Sequence, residues 1–154
     1  MFKILFVCTG NTCRSPMAAA LLADIAEKAG MAGRISIASA GLAAGRQPAS
    51  AQARSVMRQA GLNVDNHCSQ QLTLQLLTAA DVILTMTAAH KQALVGMAAG
   101  LEGKLYTLAE FAGETRDVSD PFGGSEAVYR ECAGQIRQLL TQAWGKIVSL
   151  AGKK

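Results

Sequence analysis

Short, continuous apolar runs alternate along the chain with longer stretches in which apolar residues recur every three or four positions. Phe2-Lys3-Ile4-Leu5-Phe6-Val7-Cys8 lacks strict alternation and reads as a strand buried on both faces. Thr9 to Arg14 is a turn. Ser15-Pro16 then predicts a helix start, because Ser suits the N-cap and Pro the first helical position; an Ala- and Leu-rich stretch carries that helix to about Gly30. Arg34 to Ala38 predicts a second strand, followed by the loop Ser39 to Gly45. Helices are expected over Ala49 to Ala60 and over Leu72 to Ala79, and Asp81 to Met86 is the third strand. Thr87 caps a helix running toward Gly96, Lys104 to Thr107 is a short fourth strand, and residues 112–125 form a polar loop rich in Gly and Asp. From Ser125 a long helix closes the chain, with Val128, Cys132, Ile136, Leu139, Leu140, Ala143 and Ile147 on its apolar face. Strands alternating with helices predict an α/β fold: one domain over residues 1–154, an open parallel sheet of about four strands with helices on both faces and right-handed crossovers.

Composition narrows the class further. With 154 residues, 50% hydrophobic and 17% charged, the chain has the apolar content of a compact domain and not of a disordered one. The net charge of +4 comes from 15 Lys and Arg scattered along the sequence. No clustered basic track is present, so a nucleic-acid partner is not expected, while a mild cationic excess suits a small anionic substrate. No stretch approaches the ~18 apolar residues of a membrane span. The apolar start, Ile4 to Val7, is too short for a signal-peptide core, so the cytoplasm is expected.

The four cysteines are Cys8, Cys13, Cys68 and Cys132. A chain of this size needs no disulfide framework, and without a C-x2-C pair, with His67 and His90 on separate segments, no metal and no cofactor is expected. Cys132 reads as helix core and Cys68 has no role. Cys8 is different.

In parallel α/β sheets, ligands bind at the carboxyl ends of strands, and the first strand ends at Cys8. The turn that follows is Thr9-Gly10-Asn11-Thr12-Cys13-Arg14-Ser15-Pro16. A loop of this length can curl until its N–H groups point inward, making an anion nest at a helix N-terminus. Gly10 would permit backbone angles that a side chain forbids. Arg14 closes the ring with a bidentate fork suited to tetrahedral oxyanions. The same positive field favours the Cys8 thiolate, and the Ser15 hydroxyl can hydrogen-bond to it. A nucleophile then lies beneath a bound phosphate. Displacing a phosphoryl group also calls for a proton donor opposite the nucleophile, and Asp120, stiffened by Pro121 in a glycine-rich loop, is the candidate. Asp117 is a weaker one, expected to be solvated.

The segment C-x5-R-[ST]-P near the amino terminus resembles the low-molecular-weight phosphotyrosine phosphatase family, and the resemblance covers essentially the whole chain. Ser39-Ala40-Gly41 looks like the family's short motif after the second strand, His67 sits where many members carry a histidine that helps hold the phosphate loop, and Asp120-Pro121 matches the general-acid motif. The resemblance implies catalysis by Cys8, Arg14 and Asp120, with Thr9, Gly10, Asn11, Thr12, Cys13, Arg14 and Ser15 around the phosphate. It also implies that Cys13 can trap oxidised Cys8 as a disulfide, and it favours a monomer acting on phosphorylated proteins.

Thr12 departs from the tyrosine-directed pattern, which places a bulky aliphatic residue there as a wall for a phenyl ring. Thr at this position resembles the mark of the bacterial protein-arginine phosphatase branch, and the Asp-Pro-Phe-Gly-Gly-Ser run at 120–125, where Phe122 is followed by two glycines, also looks like that branch. The expected function is therefore metal-free hydrolysis of phosphoarginine through a phosphocysteine, with phosphotyrosine as the alternative. Thiol-linked arsenate reduction needs a cysteine relay, and Asp81 to Met97 contains no cysteine. Arg14 speaks against a phosphocysteine carrier, and Cys8 with Asp120 against a non-catalytic phosphoprotein-binding module.

Overall fold

The structure is a computed structural model that describes residues 1–154. Four strands, β1 (Phe2–Cys8), β2 (Ile35–Gly41), β3 (Val82–Thr85) and β4 (Leu105–Thr107), form one parallel sheet in the order β2-β1-β3-β4. Six helices accompany them: α1 (Arg14–Lys28), α2 (Ala51–Gln59), α3 (Leu74–Ala79), α4 (Ala88–Met97), α5 (Leu108–Phe111) and α6 (Glu126–Gly152).

β1 shows why its sequence is apolar apart from Lys3, which is exposed near its start. Successive side chains leave a strand on opposite faces, so Phe2, Ile4, Phe6 and Cys8 enter one core and Leu5 and Val7 the other. The larger core holds α1, α2, α5 and α6; the smaller holds α3 and α4. Both faces are thus covered, as parallel sheets require.

Several boundaries differ from the sequence reading. β2 runs on through Ser39, Ala40 and Gly41, because residues 35–41 pair in register with the whole of β1, Cys8 opposite Gly41. α1 begins at Arg14, with Cys13 at the N-cap. Pro16 is then the third helical residue, tolerated because the first-turn N–H groups have no intrahelical acceptor. α5 went unpredicted, although Thr107 and Glu110 form a complete capping box, each side chain meeting the other's backbone N–H. On α6 it is Tyr129, 1% exposed, that enters the core, while Val128 is 44% exposed. Cys132 is buried there as expected.

Candidate active site

The turn after β1 wraps a cleft of about 360 Å³ lined by Cys8 to Arg14, with Gln47, Asp120 and Phe122 on its rim. Cys8 sits at the end of β1, 3% exposed. Its Sγ lies 2.8 Å from Ser15 Oγ. That hydroxyl already accepts the Asn11 amide, Nδ2 to Oγ 2.8 Å, which leaves the Ser15 proton to point at the sulfur. Ser15 is thus taken up by the nucleophile and not by the helix terminus, which is why it does not serve as the N-cap.

Asn11 organises the loop. It is fully buried and adopts φ 58°, the left-handed conformation that Asn tolerates better than most residues. The strained position expected at Gly10 is therefore at Asn11 instead; Gly10 stays out of the left-handed region. Nδ2 also donates to Ser39 Oγ at 2.9 Å, Oδ1 accepts Gln70 N–H at 3.0 Å, and His67 Nε2 donates to the Asn11 carbonyl at 2.7 Å. The Thr12 carbonyl accepts Ser50 N–H at 2.9 Å. Gly41 permits this packing: a Cβ there would stand 2.6 Å from the Thr9 carbonyl oxygen and 3.1 Å from Asn11 Cβ. His67 therefore bonds to the loop where the resemblance placed such a histidine, and Ser39 and Gly41 pack against the loop as well.

Arg14 is buried beside the cleft. Nη1 donates to the Val118 carbonyl at 2.9 Å, and Nη2 lies 3.7 Å from Asp120 Oδ2. Asp120 accepts Phe122 N–H through Oδ1 at 3.1 Å, a local turn that aims its free oxygen at the cleft side of Arg14. Phe122 stands 77% exposed at the rim. Asp117 is exposed, as expected, and also accepts Ala88 N–H at the start of α4 at 3.0 Å. Cys13 Sγ lies 3.1 Å from the Tyr129 hydroxyl and 3.6 Å from Thr12 Oγ1, beneath the loop and not open to solvent. Cys68 is exposed, and its thiol donates only to the neighbouring Ser69 carbonyl at 3.7 Å. No three His, Cys, Asp or Glu side chains come together to hold a metal ion.

Two participants were missed in the sequence. Tyr129, whose phenol is pushed up to about 12 by burial and then by its bond to Cys13, belongs to the spacing Tyr129, Cys132, Ala133, Ile136 that marks the inner face of α6. His90 touches the loop at Thr9, Nε2 to Oγ1 2.9 Å. Burial, then the nearby Arg14 cation, pushes its imidazole down to about 4, against the opposing pull of Asp120 and Asp117. Its sequence signal was positional: it follows Thr87 by three, in the first turn after β3. Burial likewise pushes the Cys132 thiol up to about 12, consistent with an inert core cysteine.

Comparison with known proteins agrees with this geometry. The chain belongs to the low molecular weight phosphotyrosine protein phosphatase family, whose model matches residues 3–151. It is 40% identical over 141 residues to a protein-arginine-phosphatase of Bacillus subtilis, covering 90% of this chain and 92% of that protein. It is also 37% identical over 139 residues to the low molecular weight protein-tyrosine-phosphatase PtpB of Staphylococcus epidermidis, covering 90% and 94%. Among solved structures, a cysteine-to-serine mutant of the YwlE arginine phosphatase with a phosphorylated active site serine matches with a TM-score of 0.87 at 37% identity, covering 99% of this chain and 95% of that one.

Proposed function

We propose that the chain is a protein-arginine phosphatase that works through a phosphocysteine on Cys8. The observation that carries the reading is Thr12, a small hydroxyl-bearing wall in the cleft it shares with Cys8, Asp120 and Phe122. A bulky aliphatic side chain there would suit a phenyl ring. The arginine activity of the Bacillus subtilis relative supports the same substrate class.

In the first step the Cys8 thiolate, steadied by the Ser15 proton, attacks phosphorus. The S–P bond forms and the P–N bond breaks, and the departing guanidine nitrogen takes the proton of Asp120. Arg14 and the loop N–H groups bind the equatorial oxygens and carry the charge of the transition state. In the second step the Asp120 carboxylate removes a proton from water, whose oxygen attacks phosphorus. The S–P bond breaks, Cys8 leaves as thiolate, and inorganic phosphate is released. The 3.7 Å pairing of Arg14 with Asp120 supports this division of roles, because it keeps the acid beside the group that binds the phosphoryl oxygens.

The substrates in this reading are proteins phosphorylated on arginine, met in the cytoplasm by a monomer with neither a nucleic-acid nor a membrane partner. No helix is long and apolar enough to cross a membrane. Phosphotyrosine hydrolysis is the second reading, favoured by the likeness to PtpB, and uses the same steps, the tyrosine oxygen taking the Asp120 proton and leaving as a phenol. Matched phosphoarginine and phosphotyrosine peptides separate the two. Preference for phosphoarginine is expected, with Thr12→Ile shifting the kcat/KM ratio toward phosphotyrosine by about tenfold, the scale on which a pocket wall discriminates. A wild-type preference for phosphotyrosine that Thr12→Ile leaves unchanged would overturn the substrate assignment.

A further inference from the structure

β1 and β3 are neighbours in the sheet, yet the helices that follow them pack on opposite faces: α1 belongs to the larger core and α4 to the smaller. A crevice opens at the carboxyl ends of such a strand pair, and the phosphate loop occupies it. One side-chain pair spans the crevice. Thr9, the residue after Cys8, places Oγ1 2.9 Å from Nε2 of His90 on α4. His90 is itself fixed: its backbone N–H donates to Thr87 Oγ1 at 3.1 Å, and the residue is 7% exposed. On the opposite flank the Thr9 carbonyl accepts Ala43 N–H at 2.9 Å. Thr9 is held from two sides, as Asn11 is held by His67 and Gln70.

The polarity of the contact follows from the other ring nitrogen. Nδ1 of His90 is buried without a partner. A proton on it would be an orphaned buried donor, which is rarer and costlier than an unfilled lone pair. A doubly protonated ring is opposed by burial and by Arg14. The single proton therefore resides on Nε2 and is donated to the Thr9 hydroxyl.

We propose that His90 is a positioning residue of the phosphate loop: its Nε2–H grips Thr9 across the crevice and fixes the first peptide after Cys8, so that the loop N–H groups converge on a bound phosphoryl group. His90 touches neither substrate nor Cys8 and acts through Thr9. The proposal rests on the phosphatase reading above.

Orthovanadate, a phosphate-shaped inhibitor, tests it against hydrolysis of an aryl phosphate by wild type, His90→Leu, His90→Gln, Thr9→Val and the His90→Leu/Thr9→Val double variant. His90→Leu and Thr9→Val should each weaken inhibition about five- to tenfold, the value of one lost hydrogen bond. The double variant should be no weaker than either single one, because both remove the same contact. His90→Gln, whose side-chain amide can place a donor where Nε2 stands, should recover most of the loss. Losses that multiply in the double variant, or a Gln variant as impaired as Leu, would mark a merely structural role and overturn the proposal. Thr9 is exposed, so Thr9→Val tests the contact even if His90→Leu fails to fold, and unchanged inhibition in that variant overturns the proposal by itself. Cys8→Ser keeps the two levels apart. Wild-type hydrolysis that does not depend on Cys8 defeats the phosphatase reading, whereas Cys8-dependent hydrolysis indifferent to Thr9 and His90 defeats only the role of His90.

Discussion

At the scale of single residues, the loop around Cys8 is held by polar groups whose partners are distant in sequence. Asn11 spends its side chain on Ser15, Ser39 and the Gln70 N–H, and by accepting no alternative geometry it fixes the loop around Cys8. The sequence singles out Cys8, Arg14 and Asp120 as reactive types at one edge of the fold, and the structure brings them to a single cleft. The sequence did not show supports such as Ser50, Gln70 and His90, because these acquire their roles only from neighbours distant in sequence. Gly41 illustrates the difference, as its need for hydrogen in place of Cβ arises from the Thr9 carbonyl 2.6 Å away. Gly41→Ala should displace the loop, costing about 1–3 kcal/mol of stability and at least tenfold in kcat/KM. Gly33→Ala, where no atom lies within 4 Å, should change neither; chemical denaturation and steady-state kinetics on both variants check this.

His90 makes a second prediction at this scale. Its native pKa, about 4, lies below the ordinary 6.5, so between these values the unfolded chain binds the proton and the folded one does not. Stability should therefore be unaffected by this group above pH 6.5, fall as the pH drops through that value, and level off below about 4. Burial is the main cause of the shift; Arg14 adds to it, and Asp120 and Asp117 oppose it. Denaturation at pH 7.5 and pH 5 should show a loss of about 2 kcal/mol in wild type that is absent in His90→Gln. An equal loss in both would place the titration elsewhere.

At the scale of elements, apolar periodicity located every strand and the five longer helices, and it erred where side chains had two possible uses. Ser15-Pro16 has the form of a helix start, but the Ser15 hydroxyl is committed to Cys8, and α1 starts at Arg14 behind an N-cap without a side-chain bond. β2 extends to Gly41 because the partner strand dictates its length, a constraint that local pattern does not carry. Val128 and Tyr129 are adjacent, and a hydrophobicity count prefers Val; the buried position went to Tyr129 because its hydroxyl finds Cys13. Ser50 joins helix to site in a separable way. Its Oγ caps α2 by accepting Ala53 N–H, while its own backbone N–H holds the Thr12 carbonyl. Ser50→Ala should cost about 1 kcal/mol of stability through the lost cap yet leave kcat/KM within twofold, since the backbone bond survives. A large activity loss at unchanged stability would mean that the hydroxyl, and not the N–H, supports the loop.

At the scale of the whole molecule, the strand order β2-β1-β3-β4 puts the Cys8 loop where helices diverge to opposite faces of the sheet, and the 112–125 loop between α5 and α6 brings Asp120 to that same edge, tied to Arg14 through Val118 and Asp120 itself. That long-range convergence was legible only through the pairing of an early Cys loop with a late Asp-Pro; nothing local to residue 120 separates an acid from an ordinary turn. The central claim is that a phosphoryl group passes through the Cys8 sulfur. Asp120→Ala tests it with p-nitrophenyl phosphate, whose weakly basic leaving group needs no proton: attack by Cys8 should proceed while hydrolysis of the intermediate, lacking its base, slows. Rapid acid quench and peptide mapping by mass spectrometry should then find one phosphoryl group on the peptide containing Cys8, at close to one per chain, and none in Cys8→Ser. Turnover with no trapped phosphoryl group in Asp120→Ala, and undiminished turnover in Cys8→Ser, would contradict the account.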